Sequence, residues 1–173
     1  ALCQALMNRV RFTVVIGGPV EDSVLGRELT SLGVTVCPMP DMVESLNPLK
    51  LWPAMQQLVQ LIAAHPPDLI HAHSAIAGLA ARLACRTTSR PVIYTVHGFG
   101  FKQEIPWLRR TVASLAERAL ARHTTQMICV SKYERELAGA LPIEHHRIQV
   151  IANGIALLHP ETEVKDTPPA QVG

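Results

Sequence analysis

The chain has 173 residues, of which 48% are hydrophobic, 17% charged and 4% aromatic, and its net charge is +2. That length suits one domain with a core of its own, and the composition excludes a disordered chain and favours an Ala/Leu/Val-rich α/β protein over an all-β one. A charge so near balance gives no footprint for nucleic acid, and no apolar run reaches the roughly 18 residues of a membrane span.

In chain order, residues 1–8 (ALCQALMN) read as the closing turns of an apolar helix, with Asn8 as its left-handed stop. A strand (RFTVVIGG), a short helix (GRELTSLG) and a second strand (VTVCPM) follow. The segment LKLWPAMQQLVQLIAAH is expected to be a helix broken near its start by Pro53. Then strands DLIHAHS, PVIYTVHG, QMICVS and RIQVIANG alternate with helices AIAGLAARLAC, IPWLRRTVASLAERALARH and KYERELAGAL. Short apolar strands separated by helices are the pattern of parallel βαβ units, so the fold class predicted is α/β, a Rossmann-like doubly wound parallel sheet. From His159 the text turns polar and Pro-rich and reads as a linker.

Four cysteines, Cys3, Cys37, Cys85 and Cys129, stand far apart with no C-x-x-C pair, so neither a zinc site nor a disulfide framework is expected. Cys37 and Cys129 fall inside apolar strands, where a buried free thiol packs as a small hydrophobe. With no signal peptide in view, a reducing, cytoplasmic setting is the expectation.

Ligands of such sheets bind beyond the carboxyl ends of the strands. The residues that fall there are Gly17 and Gly18, then His71, His73 and Ser74, then His97, Gly98 and Gly100, then Ser131, and finally Asn153 and Gly154. His71 and His73 stand two apart and so share a strand face. With His97 they offer three imidazoles, which zinc would accept, but no carboxylate or cysteine partner accompanies them. Hydrogen bonding of the rings to nearby loops and a cleft role for His73 are the other readings. Ser131 and Glu134 form the S-x-x-E of a capping box. Capping alone explains them, although the same helix start, with Lys132 beside it, would suit a phosphate or hydroxyl. No G-x-S-x-G elbow, paired catalytic carboxylates or D-x-D motif occurs, which argues against nucleophilic hydrolysis and metal-held nucleotide transfer.

The helix over residues 106–123 carries Trp107, Leu108, Val112, Leu115, Ala119 and Leu120 together with Arg109, Arg110, Arg118 and Arg122. An apolar stripe with a Trp and several arginines fits a helix resting on anionic lipid. A helix that covers a sheet has the same stripe, and both readings stand on sequence alone.

Taken together, DLIHAHS, PVIYTVHGFGF, MICVSKYERELA and RIQVIANGI, in this order and spacing, resemble the N-terminal domain of the family 4, two-domain (GT-B) glycosyltransferases. The resemblance covers residues 1–157. It implies a retaining transferase that moves a sugar from a UDP- or GDP-linked donor to a glycan, lipid or small-molecule acceptor, without a cofactor. On this likeness His97 is the catalytic cleft histidine, and Gly98 and Gly100 leave room for the transferred sugar. Gly17, Gly18, His73, Ser74, Ser131, Asn153 and Gly154 fall on the acceptor- or sugar-binding side. A C-terminal domain carrying an E-x7-E pair of glutamates would hold the nucleotide.

The departures are specific. The central first strand and its glycine-rich loop are not in the sequence. Ile155 and Ala156 stand where the family has Val and Asp. Residues 158–173 lead toward a donor-binding domain that the chain does not contain, so the expectation is a fragment inactive alone, reaching its nucleotide-sugar only through that domain. The setting implied is cytoplasmic, peripheral on the inner face of the membrane, in cell-envelope polysaccharide synthesis. A sugar-nucleotide epimerase of the same architecture and a non-catalytic binding or membrane-docking module are the competing functions.

Overall fold

The computed structural model describes residues 2–42, 48–99, 101 and 106–154. Gly100, the pair Ile155 and Ala156, and the linker expected from residue 158 lie outside the described residues.

Helix α1 (Leu2–Leu6) leads to strand β1 (Thr13–Gly17), helix α2 (Val24–Ser31) and strand β2 (Thr35–Met39). The amides of Arg9 and Val10 both bond the Leu6 carbonyl, which closes α1 without a left-handed residue. Asn8 is therefore not the stop expected of it; the described non-glycine residues with positive φ are Ser74 and Ser89. Helix α2 begins earlier than the sequence reading, because the Ser23 hydroxyl accepts the Gly26 N–H at 3.0 Å and caps it.

Helix α3 (Pro48–Ala64) runs unbroken through Pro53, a second correction. Proline in the second turn removes one hydrogen bond near the helix start. Ala54, Leu58 and Ile62, spaced i, i+4, i+8, are buried along one face and hold the helix in place.

The rest of the described chain is β3 (Ile70–His73), α4 (Ala75–Thr88), β4 (Val92–Val96), α5 (Trp107–Ala121), β5 (Gln126–Cys129), α6 (Lys132–Gly139), a 3-10 turn (His145–Arg147) and β6 (Ile148–Val150). Every strand pair is parallel, so the α/β class with parallel pairing holds. The described strands form two sheets, one of β1 and β2 and one in the order β3-β4-β5-β6. Among the described residues no ladder joins β1 or β2 to β3, in keeping with the expectation of a sheet without its central strand. What ties them together is side-chain packing: Val15, Met39 and Ile70 meet Leu58, Ile62, Ala80 and Ala84 in one apolar cluster.

Strand β4 lies between β3 and β5 and is the most enclosed, with Val92, Tyr94 and Val96 fully buried. Behind it Arg82 of α4, also fully buried, makes a bidentate pair with Glu117 of α5 at 2.8 and 3.0 Å. Its Nε donates to the Gly78 carbonyl at 2.8 Å, and its guanidinium lies 4.2 Å from the Tyr94 ring centroid. Position 78 admits only glycine, since a Cβ there would enter the Tyr94 ring. A cation buried this way is tolerable because its N–H groups meet a carboxylate and a carbonyl while an aromatic ring lies against its plane.

Helix α5 departs from the sheet-covering reading. Glu117, Leu120 and Ala121 are its buried residues. Leu108, Val112, Leu115 and Ala119, on the i, i+4, i+7, i+11 rhythm of a single face, are exposed, as is Trp107, with Trp107 at 71%. Only Leu120 of the apolar residues singled out in this helix packs inward; the others present a band to solvent among the described residues.

Candidate functional site

The residues collected by strand-end position do lie at the carboxyl ends of parallel strands: Gly17 and Gly18 after β1, His73 and Ser74 after β3, His97 and Gly98 after β4, Ser131 after β5, and Asn153 and Gly154 beyond β6. They do not all converge. Gly17 and Gly18 end a strand of the smaller sheet. Gly17 is required because a Cβ would meet the Met42 carbonyl oxygen, and Gly18 because its φ is +83°. Asn153 and Gly154 are exposed.

The β3 and β4 ends do converge. His73 pairs in register with Thr95, two residues before His97. The His73 Nδ1 lies 3.2 Å from the His97 Nε2, and the two rings stack with centroids 5.5 Å apart at 29°. On the other side of His73 is the His71 ring, 4.3 Å away centroid to centroid, and the His71 Nε2 lies 2.7 Å from the Thr95 hydroxyl. Three imidazoles thus form a row across the strand ends, each with a nitrogen engaged by a neighbour.

This packing disfavours charge on His73 and His71. Burial, followed by the positive charge that His71 and His97 would carry, brings the His73 pKa down to about 4. Burial and then His97 lower His71 in the same direction. Among the described residues, no group of three or more His, Cys, Asp or Glu side chains is disposed to hold a metal ion.

His97 is held from both sides along the chain. Val96 before it is fully buried, and Phe99 after it is 2% exposed, packs in the main core cluster and stacks on Phe101 at 4.6 Å. The imidazole is exposed between two anchored residues, as a pre-positioned group requires. Phe99 and Thr95 carried no sequence signal of this role, though an aromatic among glycines in HGFGF was the available hint.

Ser74 caps α4 with φ 71° and ψ 161° and no side-chain cap bond. That backbone region is nearly reserved to glycine, and strain of this kind gathers at functional sites. The exposed Ser74 hydroxyl is therefore not consumed in capping its own helix. Ser131 behaves as the S-x-x-E reading requires, with its hydroxyl accepting the Glu134 N–H at 3.1 Å. At the opposite edge of the sheet an open hollow of about 630 Å³ is lined by Arg86, Arg90, Arg122 and Arg147; the first three stand near the carboxyl ends of α4 and α5, where cations offset the helix dipole.

Two of the helix arginines are engaged within the chain: Arg118 donates to the Ala140 carbonyl at 3.0 Å, and Arg122 to the His123 ring at 3.3 Å. Arg109 and Arg110 are exposed at the amino end of α5 beside Trp107 and Leu108. Among the described residues no helix is long and apolar enough to cross a membrane. Cys129 is fully buried, which pushes its thiol up to about 11, whereas Cys37 is only partly buried.

Comparison with known proteins agrees with this architecture. The chain is 29% identical over 121 residues to an Escherichia coli UDP-Gal:alpha-D-GlcNAc-diphosphoundecaprenol alpha-1,3-galactosyltransferase, covering 69% of this chain and 31% of that protein. A Klebsiella pneumoniae protein of the cps region is 34% identical over 95 residues, covering 52% and 26%. The chain therefore spans less than a third of these curated relatives. Among solved structures, Anabaena HepE in complex with UDP and glucose superposes with a TM-score of 0.65 at 22% identity, over 89% of this chain and 40% of HepE. A UDP-N-acetylglucosamine 2-epimerase from Rickettsia bellii gives 0.59 at 13% identity, over 86% and 39%. At such identities the likeness is one of fold. The family model for the glycosyl transferase 4-like domain matches residues 1–154, and the chain belongs to that family.

Proposed function

We propose that the chain is the acceptor-side domain of a retaining glycosyltransferase, moving a sugar from a nucleotide donor to a lipid-linked or glycan acceptor at a membrane surface. The observation that carries this is His97, exposed at the end of the most buried strand, locked between Val96 and Phe99 and hydrogen-bonded by His73. A ring so held can orient a sugar hydroxyl and offer a fixed dipole to charge that develops as the glycosidic bond breaks. The strained backbone of Ser74, next to His73 in the chain, and the carboxyl-edge position support the same cleft. The donor would be held by a second domain, so this chain alone has no transfer activity and no tight nucleotide affinity. Micromolar binding of a UDP- or GDP-sugar in calorimetry would misplace the donor site.

Two observations favour a lipid-linked acceptor. The Escherichia coli relative is named for a diphosphoundecaprenol substrate, and the outer face of α5 presents Trp107, Leu108, Val112 and Leu115 beside Arg109 and Arg110, an arrangement suited to anionic headgroups. The peripheral cytoplasmic location follows from the same reading. The epimerase alternative has less support: the groups gathered at the β3 and β4 ends are imidazoles and a hydroxyl, and a carboxylate is not among them in the described residues.

The test is His97→Ala in a protein that joins this chain to a donor-binding domain. Folding should be nearly intact, and kcat should fall on the order of a hundredfold or more with a smaller change in acceptor KM. Loss of folding together with normal kcat in the folded remainder would make His97 a structural plug.

A further inference from the structure

A hydrogen bond between two neutral imidazoles uses one N–H and one lone pair, so the contact between His73 Nδ1 and His97 Nε2 admits two arrangements. In the first, His97 Nε2–H donates to His73 Nδ1, and both rings carry their proton on Nε2. In the second, His73 Nδ1–H donates to His97 Nε2, and both carry it on Nδ1. The Nε2–H form is the intrinsically preferred tautomer of the histidine side chain. The first arrangement uses it in both rings, and the second abandons it in both.

We propose that His73 is a positioning residue for His97, its Nδ1 accepting the His97 Nε2–H bond so that the His97 ring is fixed in orientation and keeps its one free lone pair on Nδ1. His73 is suited to this task. It stacks between His71 and His97, and its neighbour His71 is itself anchored by Thr95 at 2.7 Å. The low proton affinity of His73 keeps its ring neutral near neutral pH, so that one of its two nitrogens is an acceptor. The consequence for chemistry is specific: His97 meets a substrate hydroxyl through Nδ1, as an acceptor. The inference deepens the functional reading given above and rests on it for that consequence alone.

The experiment is nuclear magnetic resonance of the chain with ¹⁵N-labelled histidine near neutral pH. Long-range proton–nitrogen correlation assigns the tautomers, and coupling across the hydrogen bond identifies its partners. The expected result is a slowly exchanging His97 Hε2 proton coupled to the His73 Nδ1. In His73→Leu the coupling and the slow exchange are lost. In His73→Asn, whose amide oxygen can take the place of Nδ1, slow exchange of Hε2 returns. A proton found on His73 Nδ1, or a His97 Hε2 equally protected in His73→Leu, overturns the proposal. Should His73→Leu not fold, the native spectrum and His73→Asn decide it. Finding the expected tautomer in a protein whose His97→Ala variant keeps full activity would uphold the positioning of His97 while removing the catalytic reading.

Discussion

Replacing Glu117 by Leu tests the buried network behind β4. The change leaves the Arg82 guanidinium, fully buried, without the carboxylate that meets it at 2.8 and 3.0 Å. Removing one partner of such a pair costs about 3–5 kcal/mol, mostly from the uncompensated charge. A domain of ordinary stability holds about 5–15 kcal/mol in total, so with the middle of each range the urea midpoint of Glu117→Leu should fall by about 40%. The double variant Arg82→Met, Glu117→Leu removes both charges and keeps the volume filled, and should recover most of the loss; what remains is the stacking of Arg82 on Tyr94, about 1–2 kcal/mol. Equilibrium urea unfolding of the four proteins of the cycle measures the coupling. A single variant within about 1 kcal/mol of the parent, or a double variant no better than the single, would refute the view that the pair is desolvated and mutually compensating. The network matters for function because Tyr94, which it clamps, lies on the strand that leads into His97.

Acid should weaken the fold through the imidazole row. The His73 pKa is depressed in the folded chain, from 6.5 to about 4 by burial and by His71 and His97, so the unfolded state takes up the proton first. Stability is intact above the unfolded pKa and falls as pH drops from about 6.5 towards 4; thermal melts at stepped pH check this, and His73→Asn should flatten the slope. Co-sedimentation with liposomes should show binding that depends on anionic lipid, weakened about thirtyfold by Arg109→Ser with Arg110→Ser, at about 1 kcal/mol per basic residue; equal pelleting with neutral and anionic vesicles, or none with either, would remove the membrane reading. Because, among the described residues, no ladder joins the two sheets, the chain alone should associate in size-exclusion chromatography. A clean monomer with a sharp unfolding transition would show that the edges are satisfied in another way.

What the sequence by itself determined is what depends on near neighbours along the chain. Alternating apolar strands and helices announced parallel βαβ units, because period and length are local properties. The spacing of His71 and His73 put them on one face, since a strand repeats every two residues, and Ser131 with Glu134 declared a helix start three residues apart. The gathering of His73, Ser74, His97 and Ser131 at strand ends followed from the βαβ rule alone. Tertiary structure decided the rest, because each remaining feature joins residues far apart in sequence or depends on what a face packs against. His73 and His97 are 24 positions apart, and Arg82 and Glu117 are 35; neither pairing has a local signature, although an arginine within the small-residue helix AIAGLAARLAC invited a search for its partner. The apolar face of α5 turns outward, because Glu117, Leu120 and Ala121 occupy its inner side, which periodicity cannot reveal since it gives a face without a direction. The persistence of α3 through Pro53 was likewise set by packing, where burial of Ala54, Leu58 and Ile62 outweighs one missing hydrogen bond.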